Sequence, residues 1–166
     1  ILFKANRLCF FETICFANIA IPAGRTTFVT GPSGTGKSTL LRLFNGVLSP
    51  THGEIFYNGK NLKELDTIDL RQRVLLVSQA VFLFEGTIRD NFKAFYEHRE
   101  LPAPSDDVIA EFLTVCCLPF APDASCNNMS GGEKQRLYLA IFLSFRPEVL
   151  MLDEPTSALD ETTARR

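Results

Sequence analysis

Gly31-Pro32-Ser33-Gly34-Thr35-Gly36-Lys37-Ser38 is the stretch on which the reading of this chain turns. It fits G-x-x-x-x-G-K-[ST] at every specified position. Glycines let backbone N–H groups curl around phosphate oxygens where a side chain would obstruct them. A helix that follows would offer its unpaired N-terminal N–H groups and positive dipole end to the same anion. Lys37 would then reach the β- and γ-phosphates, and the Ser38 hydroxyl would coordinate Mg²⁺. Thr39, next in the chain, is counted with the nucleotide-binding stretch.

The flanks supply the context such a loop needs. Residues 26–30 (TTFVT) are β-branched and aromatic and predict a short strand. Beyond the loop, Leu40, Leu41, Phe44 and Val47 recur at helical spacing, and Gly46 is placed to stop the helix. Further out, residues 7–11 and 14–21 read as strands punctuated by Pro22-Ala23-Gly24. Residues 54–57 predict another strand, closed by the turn signal Asn58-Gly59. Residues 74–77 (VLLV) and 149–152 (VLML) are wholly apolar, as strands buried on both faces of a parallel sheet are. Between about 87 and 128 charges and prolines accumulate around a helical pattern at 108–113, which predicts an inserted helical section. A helix is predicted over 130–145.

Bulk properties narrow the function. With 166 residues, 46% hydrophobic and 22% charged, the chain suits one globular domain with a subdomain inserted. A net charge of -2 gives no electrostatic case for nucleic acid, and no nucleic-acid partner is expected. The five cysteines (Cys9, Cys15, Cys116, Cys117, Cys126) include no C-x-x-C pair, and free, buried or partly buried thiols are expected. No signal peptide is expected at the N-terminus. The longest uncharged stretch, residues 13–24, is 12 residues long and too short to span a bilayer. Any membrane connection is therefore expected through a partner.

Two further motifs carry chemistry. Asp153 and Glu154 sit together at the tip of the VLML strand. An apolar strand that delivers two carboxylates at its end suits Asp153 to holding Mg²⁺ and Glu154 to polarising an attacking water as general base. Met129-Ser130-Gly131-Gly132-Glu133-Lys134-Gln135 contains S-x-x-E, a capping box that starts a helix. Glycine disfavours helix interiors by about 1 kcal/mol relative to alanine, so two in the first turn suggest close backbone approach, most simply to another phosphate.

With these residues in place the chain resembles the nucleotide-binding domain of ATP-binding-cassette (ABC) proteins. Residues 129–135 are similar to that family's LSGGQ signature, with Met129 for Leu and Glu133 for Gln. LLVSQ ending at Gln79 resembles the Q-loop, and residues 152–160 (LDEPTSALD) resemble Walker B running into the D-loop. The resemblance covers essentially the whole chain. It implies an α/β, P-loop NTPase (RecA-like) core with a mixed or parallel sheet, an N-terminal antiparallel β-subdomain and an inserted helical subdomain. As one such domain over 1–166, the core would take about 1–86 and 130–166, and the helical insertion about 87–129.

The resemblance also implies two copies paired head to tail, with each ATP held by the P-loop of one copy and Ser130, Gly131 and Gly132 of the other. Gln79 would sense Mg²⁺ and the attacking water, Asp160 would couple the two sites, and Phe10 or Phe11 would stack on adenine, with Phe11 counted in the site. Residues 80–92 (AVFLFEGTIRDNF) resemble the stretch beside which transporter membrane subunits dock. Phe82, Leu83 and Phe84 are read there either as core or as part of that docking groove. The expected protein is thus an ATPase subunit of a transporter, using ATP and Mg²⁺ with a transmembrane permease subunit at the cytoplasmic face of the membrane. The alternatives are a soluble, non-transport ABC ATPase and a non-hydrolysing nucleotide switch. The family's switch histidine follows the D-loop, whereas His52 and His98 lie upstream of Asp160. That histidine and the last strands are expected past Arg166, so this truncated chain is expected to bind ATP better than it hydrolyses it.

Overall fold

A computed structural model describes residues 1–154. The chain divides into two compact units, residues 1–76 and residues 77–166.

In the first unit an antiparallel sheet is organised around β1 (Phe3–Phe10). Along one edge of β1 lie β2 (Ile14–Phe16) and β3 (Ile19–Ile21) in succession, and along the other lies β4 (His52–Tyr57). The break between β2 and β3 faces an irregularity in β1, where the Arg7 N–H donates to Asn18 Oδ1 at 3.2 Å. Residues 14–21 are therefore two strands rather than one. Asn58 and Gly59, both at positive φ, turn β4 into β5 (Lys60–Asn61).

α1 (Lys37–Phe44) follows the glycine loop and buries Leu40, Leu43 and Phe44. The Phe44 ring stacks on Phe3 at 4.9 Å, which packs the helix against the inner face of the sheet. Gly46, at φ 72°, ends the helix in a Schellman motif. There the Val47 N–H donates to the Arg42 carbonyl (2.9 Å) and the Gly46 N–H to Leu43 (3.2 Å). Val47 consequently lies outside the helix and is exposed. α2 (Thr67–Arg73), capped by Asp66, leads into β6 (Val74–Val77).

Two further expectations fail in this unit. Residues 26–30 form no strand, and Phe28 is 83% exposed. Their β-branched composition satisfies strand propensity, but propensity spans only about 1 kcal/mol and is realised through cross-strand neighbours. Cys9 and Cys15 are not free thiols but a disulfide. They sit directly opposite each other in the β1–β2 ladder with Cα atoms 4.1 Å apart, so the hairpin register itself brings the sulfurs together.

The second unit packs α3 (Ile88–Glu97), α4 (Asp106–Val115) and α5 (Gly131–Ser144) around Ile88, Phe92, Ile109, Leu113, Leu137 and Ile141. Helix starts are marked by Thr87, Ser105 and Ser130, each accepting from an N–H of its own first turn. Exposed Arg89 forks onto Asp106 (2.8 and 2.7 Å), tying the starts of α3 and α4. Cys116 and Cys126 are buried free thiols, and Cys117 is exposed. β7 (Val149–Leu152) then delivers Asp153, whose N–H donates to the Val77 carbonyl at 3.0 Å.

Candidate functional site

The phosphate loop is built in the first unit. Thr35 Oγ1 donates to the Pro32 carbonyl at 2.9 Å, closing the loop on itself. Lys37 Nζ donates to the carbonyls of Gly31 and Pro32, each at 2.9 Å. An ammonium has three N–H donors, so this clasp fixes the side chain across the loop mouth and leaves one donor for a phosphate. Gly36 caps α1 at φ 89°, with no side-chain cap and no acidic residue in the first turn. The first turn of α1, opening at Lys37, Ser38 and Thr39, thus brings no side-chain cap and no acidic residue of its own against its N–H groups. Gly31, Pro32, Ser33, Gly34 and Thr35 are all exposed. A Cβ on Gly34 would meet nothing within 4 Å, whereas one on Gly36 would lie 2.6 Å from Ile14 Cγ2. The two glycines serve different ends: Gly34 leaves open space, and Gly36 fits the loop against β2.

Phe11 lies in the turn after β1 at φ 49°, 63% exposed, with its ring edge-on to Phe10 at 4.6 Å. The disulfide brackets this turn. An exposed ring held by a cross-linked hairpin is available for stacking.

Three site elements lie in the second unit. Gln79 Nε2 donates to Glu154 Oε2 at 2.9 Å, joining residues 75 positions apart in the chain. Glu154 is exposed at φ 49°, a left-handed conformation that is costly for a residue with a Cβ. Asp153, by contrast, is 8% exposed. The two adjacent carboxylates thus occupy different environments, one buried at the strand tip and one turned to solvent.

The third element is the start of α5. The Ser130 N–H and hydroxyl both donate to Glu133 Oε2 (2.7 and 2.8 Å), while Ser130 Oγ accepts from the Glu133 N–H (3.3 Å). The Ser130 N–H, and then its hydroxyl, hold the Glu133 carboxyl below its ordinary range. A Cβ on Gly131 would meet nothing within 4 Å, so this backbone is open to an approaching group. Asp160 lies outside the described residues.

Residues 82–84 divide between the two roles read from sequence. Leu83 packs against the helical core. Phe82 is 59% exposed, edge-on to Phe84 at 4.9 Å, and Phe84 continues to Phe95 (5.8 Å) and His98 (6.0 Å). His98 is thus part of an aromatic surface, and His52 opens β4 exposed to solvent. Sequence reasoning missed Asn91, fully buried among α3's apolar residues. It accepts from the Phe84 N–H (2.8 Å) and donates to the carbonyls of Phe84 and Thr87 (3.0 Å each), fixing the loop that carries Phe84. Its signal was an amide at Ile88 + 3, on the face of the helix that also carries Phe92.

The residue pattern and this geometry agree with what the chain is similar to. The Probable iron export ATP-binding protein FetA of Escherichia coli (strain K12) is 39% identical over 146 residues, which is 87% of this chain and 64% of that protein. The structure of CbiO1 from Clostridium perfringens, part of the ABC transporter complex CbiONQ, superposes with a TM-score of 0.82. It is 26% identical and the match covers 99% of this chain and 69% of CbiO1. A bacterial Atm1-family ABC exporter solved with ATP bound gives a TM-score of 0.81 at 27% identity, covering 98% of this chain and 31% of the exporter. The chain spans a little under two thirds of the length of FetA. The family profile described as ABC transporter matches residues 16–157. With a P-loop, a Gln79–Glu154 pair and a capped glycine start to α5 behind that match, the chain belongs to the ABC transporter family and has its P-loop NTPase fold.

Proposed function

We propose that this chain is the nucleotide-binding part of a transporter's ATP-binding subunit, which hydrolyses ATP between two copies arranged head to tail. The observation that carries the reading is the Gln79–Glu154 hydrogen bond. Gln79 holds one carboxylate oxygen of Glu154 and leaves the other to accept a proton from water, as a general base must. The pair faces solvent, where a second copy and a nucleotide would enclose it.

The remaining roles follow from the same residues. Lys37 and the opening N–H groups of α1 bind phosphate oxygens of ATP, which is the substrate. Mg²⁺, when bound, neutralises charge on the β- and γ-phosphate oxygens, and Ser38, Gln79 and Asp153 are the residues assigned to it. The donor set of hydroxyl, amide oxygen and carboxylate fits a hard cation. Phe11 stacks on the base. Ser130, Gly131 and Gly132 supply backbone to the γ-phosphate bound by the other copy, which is why the first turn of α5 carries no bulk there. Asp160 is assigned to coupling the two sites.

A permease subunit is proposed as the membrane partner, seated on the Phe82–Phe84–Phe95 surface at the cytoplasmic face of the membrane. Among the described residues no helix is long and apolar enough to cross a membrane. FetA is named for iron export and CbiO1 for its place in a transporter complex, which supports transport over a soluble role. The test is turnover against binding. Lys37→Ala should lose ATP binding, and Glu154→Gln should bind ATP with undiminished affinity while losing turnover. Wild-type turnover in Glu154→Gln would end the reading.

A further inference from the structure

A small cavity in the second unit is walled by Val77, Ser78 and Asp153 on one side and by Gln135, Arg136, Tyr138 and Leu139 of α5 on the other. Its volume is about 40 Å³, and a water needs roughly 10–15 Å³ on that measure. Two polar atoms of its lining residues are buried without a hydrogen-bond partner, Gln135 Oε1 and Arg136 Nε. Gln135 itself is 8% exposed, as is Asp153. Ser78, another lining residue, donates its hydroxyl to the Ala80 carbonyl at 3.0 Å. A buried amide oxygen left unpaired costs about 1–3 kcal/mol, so this arrangement calls for a small polar occupant. The complement is one acceptor (Gln135 Oε1), one donor (Arg136 Nε–H) and a carboxylate (Asp153). A water satisfies all three: it accepts from Arg136 and donates to Gln135 and Asp153.

We infer that an ordered water in this cavity joins Gln135 and Arg136 of α5 to Asp153, making Gln135 a positioning residue for the metal-binding carboxylate. This rests on the proposed role of Asp153 in holding Mg²⁺. It ties the helix whose first turn meets one nucleotide to the carboxylate that serves another. The link is mechanical: movement of α5 reaches Asp153 through one bridging molecule. Groups that act through a metal ligand in this way typically change metal affinity 10–100-fold when removed.

The experiment measures binding of a fluorescent ATP analogue across a Mg²⁺ titration and again in EDTA, with turnover not needed. Gln135→Met keeps the length of the side chain and removes the acceptor. It should raise the Mg²⁺ requirement about tenfold and leave affinity in EDTA unchanged. Asp153→Asn is the control for the underlying assignment. If Asp153→Asn leaves the Mg²⁺ requirement as it was, the role of Asp153 is wrong and the inference goes with it. If Asp153→Asn raises the requirement and Gln135→Met does not, only the inference falls. Equal losses with and without Mg²⁺ in Gln135→Met would show a purely structural residue and also overturn it. Should that variant not fold, a crystal structure of the wild-type chain decides: one water bonded to Gln135 Oε1 and Asp153 supports the link, and a dry cavity refutes it.

Discussion

Replacing Gly36 by alanine separates the two demands that the phosphate loop makes on its glycines. At φ 89° an alanine carries a backbone cost of about 1–2 kcal/mol. Its Cβ would also lie 2.6 Å from Ile14 Cγ2 and 3.2 Å from the Phe16 ring, both on β2. Relieving such overlap in a packed region adds about 1–3 kcal/mol. The sum, about 2–5 kcal/mol, is a large share of the stability of a domain of this size. Gly34→Ala is the matched control. Its φ of 80° brings the same backbone cost, but its Cβ meets nothing within 4 Å. Urea unfolding followed by far-ultraviolet circular dichroism reads the difference. With a slope of about 2 kcal/mol per molar, the Gly36→Ala midpoint should lie roughly 1 M below that of Gly34→Ala. ATP affinity should order the other way per unit of stability lost, because a methyl at position 34 would enter the open space proposed for phosphate. Equal midpoints for the two variants would refute the claim that packing on β2 fixes the loop.

Other outcomes follow from the same structure. Cys9→Ser with Cys15→Ser should lower stability under oxidising conditions by about 2 kcal/mol, as expected for a short closed loop, and dithiothreitol should reproduce the loss in wild type but add nothing in the variant. Glu133, whose carboxyl is held below its ordinary range, stabilises the start of α5 above the usual glutamate pKa and ceases to as pH falls through its lowered value. The protection of the Glu133 and Lys134 amides, taken as observed exchange relative to the intrinsic rate at each pH, should therefore fall on acidification in wild type. In Glu133→Gln, which keeps a neutral acceptor, that dependence should flatten. Phe82→Asp should leave ATP binding and the unfolding midpoint within about 0.5 kcal/mol of wild type, since the ring is largely exposed, and should abolish co-purification with membranes.

How much was legible in the sequence depended on how local each cause is. The α5 helix was readable because its start is written in four consecutive residues, Ser130 to Glu133, and its box forms as spelled. β7 was readable from its unbroken apolar run, and the end of α1 from Gly46. α2 was missed because seven residues give too little periodicity, although Asp66 caps it openly. Residues 26–30 were misread because composition reports a preference for strand, whereas a strand exists only with a partner. The Cys9–Cys15 bond was hidden for a related reason: a spacing of six means nothing until the hairpin register is known. In the candidate site, the glycine loop with Lys37 and Ser38 and the Asp153-Glu154 pair are readable as candidates from their chemistry, whereas Gln79, Phe11 and Asp160 enter only through the family resemblance. That Gln79 should hold Glu154 from 75 positions away is a consequence of the fold and could be expected only through family resemblance.

The central claim, that two copies close around ATP with Glu154 as the base, is tested most directly by the mass of the Glu154→Gln chain in solution. Size-exclusion chromatography with light scattering should give a monomer without nucleotide, near 18.5 kDa, and a dimer of twice that mass with ATP and Mg²⁺. The dimer should vanish when Lys37→Ala or Ser130→Arg is added. A Glu154→Gln chain that stays monomeric at saturating ATP, or a dimer indifferent to both added substitutions, would contradict the account.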